Sequence, residues 1–232
     1  MASLYEIAAR RRPALAARVA GVALLGVVGL ALFGCDTLTI PGLGGSGSTP
    51  PAVVGRLTAT SSDVRVERSG QSVTYAAGMP LWTGDRVRTG PAAFAAIDFD
   101  DGNTVYLNQA TWVMVGSIRV FIGEIFAAIA HAGSSSEVYT NDLSAAAEGT
   151  KFLLGTDPLG TTVTVLEGLV RCTPEAGGAW EPFTLTANQQ ISGTVRSYAG
   201  PTPIDAGREA RWVDEALRAL KRPSALPPPR PN

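Results

Sequence analysis

Short strand-like runs, each ended within a few positions by Gly, Asp, Asn or Ser, follow one another from residue 53 to about residue 198. In "DVRVER", Val64 and Val66 fall on one face of an extended strand and Arg65 and Glu67 on the other, because side chains alternate along a strand. No long helical period interrupts the series. A chain of 232 residues has room for one such domain with extensions. The pattern predicts an all-β domain over residues 53–200.

The segment "LWTGDRVRTG", residues 81–90, contains two glycines, an aspartate and two arginines, and it could be a phosphate-binding loop, a catalytic corner or a turn. A phosphate loop opens a helix and usually carries a lysine. Here no lysine is present, and "PAAFAAIDF", which follows, has a strand pattern. We therefore interpret Gly84-Asp85 and Gly90 as turn residues on either side of a short strand.

The segment "DFDDGN" resembles the start of a calcium-binding loop. An EF-hand requires flanking helices and a glutamate at position twelve, whereas position twelve from Asp98 is Gln109 and both flanks have strand patterns. Asp101-Gly102 between two strands instead predicts a β-hairpin turn.

Rare residue types and charge restrict the possible functions. The chain has one histidine, His131, and two cysteines, Cys35 and Cys172, too few for a His- or Cys-rich zinc site. Four of the 19 basic residues but only one of the 20 acidic residues precede Cys35, so the remainder is mildly acidic. Because phosphate neutralisation requires clustered Lys and Arg, we expect no nucleic-acid binding.

No catalytic set is evident in the sequence. Glu148 and Glu167 could form a carboxylate pair, but nothing in the sequence brings them together and no nucleophile–base set accompanies them. His131 ends an apolar run, and we interpret it as structural. We therefore expect no enzymatic activity, no cofactor and no metal.

The N-terminus has the pattern of an export signal. Arg10, Arg11 and Arg12 precede an uncharged apolar run over residues 19–33. As a helix this run would span about 22 Å, short of the ~30 Å hydrocarbon core of a bilayer. The pattern predicts a signal segment over residues 1–34. The alternative is a retained membrane helix that extends back through Arg18.

The end of the apolar run, "LFGC", resembles a bacterial lipobox. The resemblance implies that Cys35 is diacylated, which anchors a protein stably in a membrane, and that the chain faces the periplasm or the cell exterior. Asp36 resembles the inner-membrane retention signal of enteric lipoproteins. Residues 35–52, rich in Gly, Ser and Pro, form a flexible tether. Cys172 would then have no disulfide partner, and we expect a buried, small apolar side chain.

The C-terminal segment has a different pattern. "PIDAGREARWVDEALRALKRP" predicts one α-helix over residues 204–222, with Asp205 as its N-cap. A Pro-rich tail, residues 223–232, follows. The apolar stripe of the helix either packs on the β domain or binds a partner; the candidate residues for a partner are Trp212, Val213, Leu217 and Leu220.

The order of these pieces resembles a FecR domain. "AAGMPLWTGDRVRTGPAAFAAIDFDDGNTVYL" is similar to the opening of that family, and "AEGTKFLL", "TTVTVLEGLVRC" and "FTLTANQQ" are similar to later segments, so the resemblance covers about residues 53–195. One departure is Glu148, where the family commonly has Arg. The signature turn residues are Gly84, Asp85, Thr89, Gly90, Asp101, Gly102, Gly149, Thr150 and Gly168.

The resemblance implies an all-β fold, a FecR-like β-sandwich or short β-roll with one C-terminal α-helix, and an extracytoplasmic signalling module. The known iron-uptake regulators of the family also have a cytoplasmic sigma-factor arm and a receptor-contacting domain. Here about 18 residues precede the apolar run and about thirty follow the β domain. We therefore do not expect direct sigma-factor control.

Two functions fit this reading. The first is a non-enzymatic sensing or protein-interaction module with a protein partner in the cell envelope. The second is an envelope scaffold that binds cell-wall glycan or polysaccharide, which clustered exposed aromatic side chains would favour. The candidates are Trp82, Trp112, Trp180 and Trp212, although Trp112 alternates within a strand and is expected in the core.

Overall fold

The computed structural model describes residues 51–61, 63–130 and 136–222. Cys35, His131, the predicted signal segment, nearly all of the tether and the Pro-rich tail lie outside them. The strands in these residues are β1 Val53–Thr60, β2 Val64–Arg68, β3 Gln71–Val73, β4 Met79–Trp82, β5 Arg86–Thr89, β6 Ala95–Phe99, β7 Thr104–Leu107, β8 Trp112–Met114, β9 Ile118–Ala128, β10 Ser136–Tyr139, β11 Leu143–Ala147, β12 Lys151–Asp157, β13 Gly160–Glu167, β14 Leu169–Pro174, β15 Phe183–Thr186, β16 Gln189–Gly193 and β17 Tyr198–Pro203. Two short helices follow, α1 Ala206–Glu209 and α2 Arg211–Ala219.

The strands form two layers that share β9. In the first, the covered sheet, the order is β4-β1-β6-β7-β9-β12-β13-β16-β17. In the second, the open sheet, the order is β3-β2-β5-β8-β9-β10-β11-β14-β15. All neighbours are antiparallel except β9 and β10. The expected all-β fold is confirmed.

Strand β9 passes from one layer to the other at Gly123. Residues 118–122 pair with β8 and β10 of the open sheet, and residues 123–128 pair with β7 and β12 of the covered sheet. Gly123 has φ +96°, and a Cβ there would lie 2.5 Å from Cα of Thr111. The close approach of the two chains therefore requires glycine at the crossing.

The main core lies between the two sheets and contains inward-facing side chains of both, such as Leu57 and Ile97 of the covered sheet and Val66 and Val87 of the open sheet. The alternation of a strand explains how the covered sheet is buried on both faces. Phe152 and Leu154 face this core, whereas Leu153 between them faces the other side, and all three are at most 2% exposed.

The C-terminal helices close the outer face of the covered sheet. Asp205 caps α1, because its carboxylate accepts a hydrogen bond from the amide of Arg208 at 3.2 Å. The predicted single helix is divided at Ala210 into α1 and α2. Val213 and Leu217 are 0% and 2% exposed and belong to a second core on the covered sheet. The second core consists of Phe94, Ala96, Tyr106, Phe126, Leu153, Leu166, Ala206, Ala210, Val213, Ala216, Leu217 and Leu220.

An ion pair between Arg222 and Asp98 joins the end of the helical segment to the covered sheet. Nη1 of Arg222 donates to Oδ1 of Asp98 at 3.0 Å, and the Arg222 guanidinium lies over the Tyr106 ring. Burial raises the pKa of Asp98, but hydrogen bonds from Arg222 and Thr104 outweigh it and the net pKa is lowered. The apolar stripe of α2 is thus occupied by the protein's own sheet. In the part of the chain described here, no helix is both long and apolar enough to span a bilayer.

Candidate functional site

The signature aspartate of the first turn is part of the framework. Asp85 is 1% exposed, and its carboxylate accepts hydrogen bonds from Nε and Nη2 of Arg68 at 2.9 and 2.7 Å and from the amide of Trp82 at 2.8 Å. The hydrogen bond to Asp85 raises the pKa of Arg68, whose guanidinium also lies 3.9 Å from the centre of the Trp82 ring. The carboxylate therefore joins the turn after β4 to strand β2.

Two signature threonines hold neighbouring chain segments in the same way. Thr89 Oγ1 donates to the carbonyl of Asn108 at 2.6 Å and accepts from the amide of Thr111 at 2.9 Å. Thr150 Oγ1 donates to the carbonyl of Leu169 at 3.0 Å and accepts from its amide at 3.3 Å. Both threonines are buried, so these hydroxyls satisfy backbone groups that water cannot reach.

Three of the signature glycines lie at turns or close approaches. Gly84 and Gly149 have φ values of +89° and +57°, in the left-handed region that favours glycine. A Cβ on Gly168 would lie 2.6 Å from Oγ1 of Thr150. These residues shape the chain and leave no chemically reactive group exposed.

The aspartates of the segment "DFDDGN" do not act together: Asp98 pairs with Arg222, and Asp101 forms hydrogen bonds within the turn. The carboxylate of Asp101 accepts from the amide of Asn103 at 3.0 Å and from its side-chain nitrogen at 2.8 Å. Gly102 takes the left-handed position of the hairpin, with φ +87°. The side-chain oxygen of Asn103 also accepts a hydrogen bond from the amide of Ala130 at 2.9 Å. Within the described ranges, no three His, Cys, Asp or Glu residues could hold a metal ion together.

The two glutamates considered as a carboxylate pair have separate surroundings. Glu167 forms an ion pair with Lys151 at 2.9 Å, and Glu148 is exposed. Cys172 is fully buried in the main core, and burial raises the pKa of its thiol to about 12. A thiol with that pKa is neutral and unreactive at physiological pH.

The outer face of the open sheet is the most distinctive surface of the domain. No element of the described chain packs on it as the helices pack on the covered sheet. Alternate residues of its strands point outward, and they include five arginines against two glutamates. The arginines are Arg65, Arg86, Arg88, Arg119 and Arg171, and the glutamates are Glu67 and Glu137. The strands of this face thus carry more basic than acidic residues, although the formal net charge of the chain is −1. Asp63 and Glu175, in the adjoining connections, form ion pairs with Arg65 and Arg119.

One row of side chains crosses four strands of this face. Strand register places Arg65 of β2 opposite Arg88 of β5, Arg88 opposite Trp112 of β8, and Trp112 opposite Ile122 of β9. We call these four residues the arginine–tryptophan row. With strands about 4.8 Å apart, the row is about 14 Å long.

The row lines a groove of about 320 Å³. The remaining walls come from Asp63 and from two connections, with Gly90 before β6 and Ala110 before β8 among their residues; the full additional set is Asp63, Thr89, Gly90, Pro91 and Ala110. Asp63 forms an exposed ion pair with Arg65 at 3.3 Å. The groove therefore has a cationic end at Arg65 and Arg88 and an apolar end at Ile122, which is 42% exposed.

The expectation that Trp112 lies in the core is wrong. Val113, its neighbour in β8, is 1% exposed and faces the core, so the alternation places Trp112 on the open face, half-buried beside Phe121 at a ring distance of 4.7 Å. The other tryptophans have separate surroundings. Trp82 lies under Arg68, Trp212 of α2 stacks on Phe94, and Trp180 packs with Phe183 and Tyr198.

These features define the class of protein: an all-β two-layer domain whose signature residues fix turns and whose second sheet is open on one face. Residues 85–171 match the model of the family described as FecR protein. The resemblance to a FecR domain that was drawn from the sequence is therefore confirmed over residues 85–171.

Two crystal structures of a "putative anti-sigma factor" from Parabacteroides distasonis are similar to this chain, each with 17% sequence identity and a TM-score of 0.48. The matches cover 55% of this chain and 64% and 63% of those chains, so the chain spans less than two thirds of their length. No curated protein matches the chain.

Proposed function

We propose that this chain is a membrane-anchored, extracytoplasmic module of the cell envelope that senses or signals by binding a protein partner, without enzymatic activity. The FecR domain over residues 85–171 supports a regulatory role. The framework roles of Asp85, Thr89 and Thr150 support it too, because the residues that resemble the family serve the fold and not a reaction.

The open face carries the proposal. Its arginines and its Trp112–Phe121 pair are the residue types that are enriched at protein interfaces. The covered sheet has its equivalent face filled by α1 and α2. Within the described residues, a partner therefore has one broad sheet face to contact, and the strands of that face carry more arginines than acidic residues.

The membrane anchor is the second part of the proposal. Cys35 in "LFGC" would carry the acyl chains, and residues 36–52 would let the domain reach partners near the membrane surface. Asp36 favours the inner membrane. Labelling cells with an alkyne-palmitate analogue should mark the wild-type chain and leave Cys35→Ala unmarked; equal labelling of both would contradict the anchor.

An envelope scaffold that binds glycan is the second candidate. It is favoured by an aromatic cluster at the edge of the domain, in which Trp180 lies 5.1 Å from Tyr198, itself 37% exposed. Aromatic faces of this kind can stack on sugar rings. A glycan role would place the ligand at this cluster, away from the arginine–tryptophan row.

In-cell photo-crosslinking tests the two candidates. The photoreactive residue would replace Arg86 or Arg171 on the open face, Glu215 on the exposed side of α2, or Glu181 beside the aromatic cluster. The interaction module predicts one recurrent envelope protein among the adducts. Adducts with wall glycan alone, at a level above a control that joins residues 1–52 to an unrelated domain, would overturn it in favour of the scaffold.

A further inference from the structure

The arginine–tryptophan row contains a charge arrangement that the fold does not need. Arg65 and Arg88 are directly opposite each other on neighbouring antiparallel strands. Like charges in that position destabilise a sheet. Asp63 offsets part of the repulsion through its ion pair with Arg65, but both side chains of that pair are more than half exposed. Such a pair therefore contributes little.

Arg88 is the less compensated of the two. Within the described residues, no carboxylate forms an ion pair with its guanidinium, which lies 4.7 Å from the centre of the Trp112 ring. A cation held over an aromatic ring is oriented and still available to an anion. Two guanidinium groups at one end of a groove are a suitable site for a carboxylate.

The other end of the groove is apolar. Trp112 and Ile122 are adjacent in the row, and Ile122 is exposed although it is a large aliphatic residue. From Arg88 to the midpoint between Trp112 and Ile122 is about one and a half strand spacings, or about 7 Å. Side chains on the same side of an extended peptide, two residues apart, are also about 7 Å apart.

We propose that the arginine–tryptophan row binds an extended acidic segment of the partner protein. An aspartate or glutamate of the segment pairs with Arg65 and Arg88, and an apolar side chain two residues away packs on Trp112 and Ile122. This inference rests on the proposed function and adds to it the site and the chemistry of the partner. The row length of about 14 Å accommodates about four extended residues.

The surroundings of Trp112 favour a peptide over a glycan at this groove. A sugar ring needs an open aromatic face, whereas the Trp112 ring has Arg88, Arg86 and Phe121 within 4.7, 5.8 and 4.7 Å of its centre. Ile122 offers a sugar neither a ring face nor a hydrogen bond. An apolar side chain next to a carboxylate, as in a polypeptide, matches both ends of the groove.

Fluorescence anisotropy with the full-length protein in detergent tests the proposal. The probe is a fluorescein-labelled nonapeptide of three Asp-Ser-Leu repeats, with Asn-Ser-Leu and Asp-Ser-Ser repeats as control peptides. We expect saturable binding of the Asp-Ser-Leu peptide below about 1 mM, and weaker binding of both controls. Arg88→Glu should weaken the binding at least about tenfold.

Arg171→Glu is the matched control variant. Arg171 is exposed on β14, on the same open face but outside the row, and the substitution makes the same change in charge. It should change the affinity less than about twofold, since exposed charges beyond a Debye length are screened. Arg88→Glu should also leave the melting temperature unchanged or raised, because it removes a like-charge pair; a purely structural Arg88 would lower it.

Three results would overturn the proposal: no saturable binding of the Asp-Ser-Leu peptide, equal weakening by Arg88→Glu and Arg171→Glu, or preferential binding of polygalacturonate, an acidic polysaccharide. The crosslinking experiment separates this failure from that of the proposed function. If crosslinking still yields one envelope protein, the module stands and the assignment of the groove is wrong. If it yields none, the module itself is wrong.

Discussion

Replacing Asp85 with alanine should destabilise the domain by about 2–4 kcal/mol. The change removes three hydrogen bonds, two of them from the Arg68 guanidinium, and leaves the Trp82 amide without its acceptor. Breaking a buried ion pair costs about 3–5 kcal/mol. We expect the smaller loss of about 2–4 kcal/mol for this pair, because the Arg68 side chain is 23% exposed and can turn toward water. Small domains are stable by only about 5–15 kcal/mol, so the loss is large.

Urea unfolding followed by tryptophan fluorescence measures this loss. With a slope of about 2 kcal/mol per molar urea, the midpoint should fall by about 1–2 M. Asp63→Ala is the matched control, since its carboxylate forms an exposed ion pair, and should shift the free energy of unfolding by less than about 1 kcal/mol. A double-mutant cycle with Arg68→Ala should give a coupling of about 1.5–3 kcal/mol. Equal midpoints for Asp85→Ala and the wild type would refute a framework role for this aspartate.

Three further changes test other parts of the structure. Gly123→Ala should cost at least about 2 kcal/mol in urea unfolding because of its φ of +96° and its close contacts, whereas Gly155→Ala, where a Cβ would meet only ordinary contacts, should cost less than about 1 kcal/mol; equal costs would contradict the crossing at Gly123. Burial raises the pKa of Glu124, so the protonated side chain stabilises the fold fully below the unfolded pKa of about 4.3, and this stabilisation is lost as pH rises through the folded pKa. Glu124→Gln should therefore gain stability relative to wild type as pH rises from 4 to 7. A difference in melting temperature that stays constant over this range would count against this. In Cys35→Ser, no thiol should react with Ellman's reagent at pH 8 until denaturant exposes Cys172, and immediate reaction would show that the thiol is accessible.

The turns and strands of the domain are predictable from local sequence because their physical causes are local. Asp101-Gly102 forms a hairpin since glycine adopts φ +87° easily and the aspartate side chain bonds within the turn. The same holds for Gly84 beside Asp85. The partner of Asp85 was not predictable in this way, because Arg68 lies 17 residues earlier and reaches it only through the pairing of β2 with β5.

The candidate site depends on information that a strand pattern does not contain. Alternation shows that Trp112 and Val113 face opposite sides, but both are apolar, so it does not show which side is the core. Predicting the arginine–tryptophan row from sequence would require the register of four strands, and these strands are separated along the chain by loops of different length. Arg65, Arg88 and Ile122 therefore had no signal in common before the pairing of their strands was known.

The sharing of β9 has a consequence for how the domain can be divided. Strands β1–β8 lie on one side of β9 in both sheets and β10–β17 on the other, so each half depends on the same strand for its inner edge. A fragment limited to residues 85–171 would lack β1–β4 and β15–β17 and would leave β5, β6, β13 and β14 with unpaired backbone groups, which are templates for aggregation. The two halves are therefore expected to melt together as one cooperative unit, and neither is suited to be produced alone.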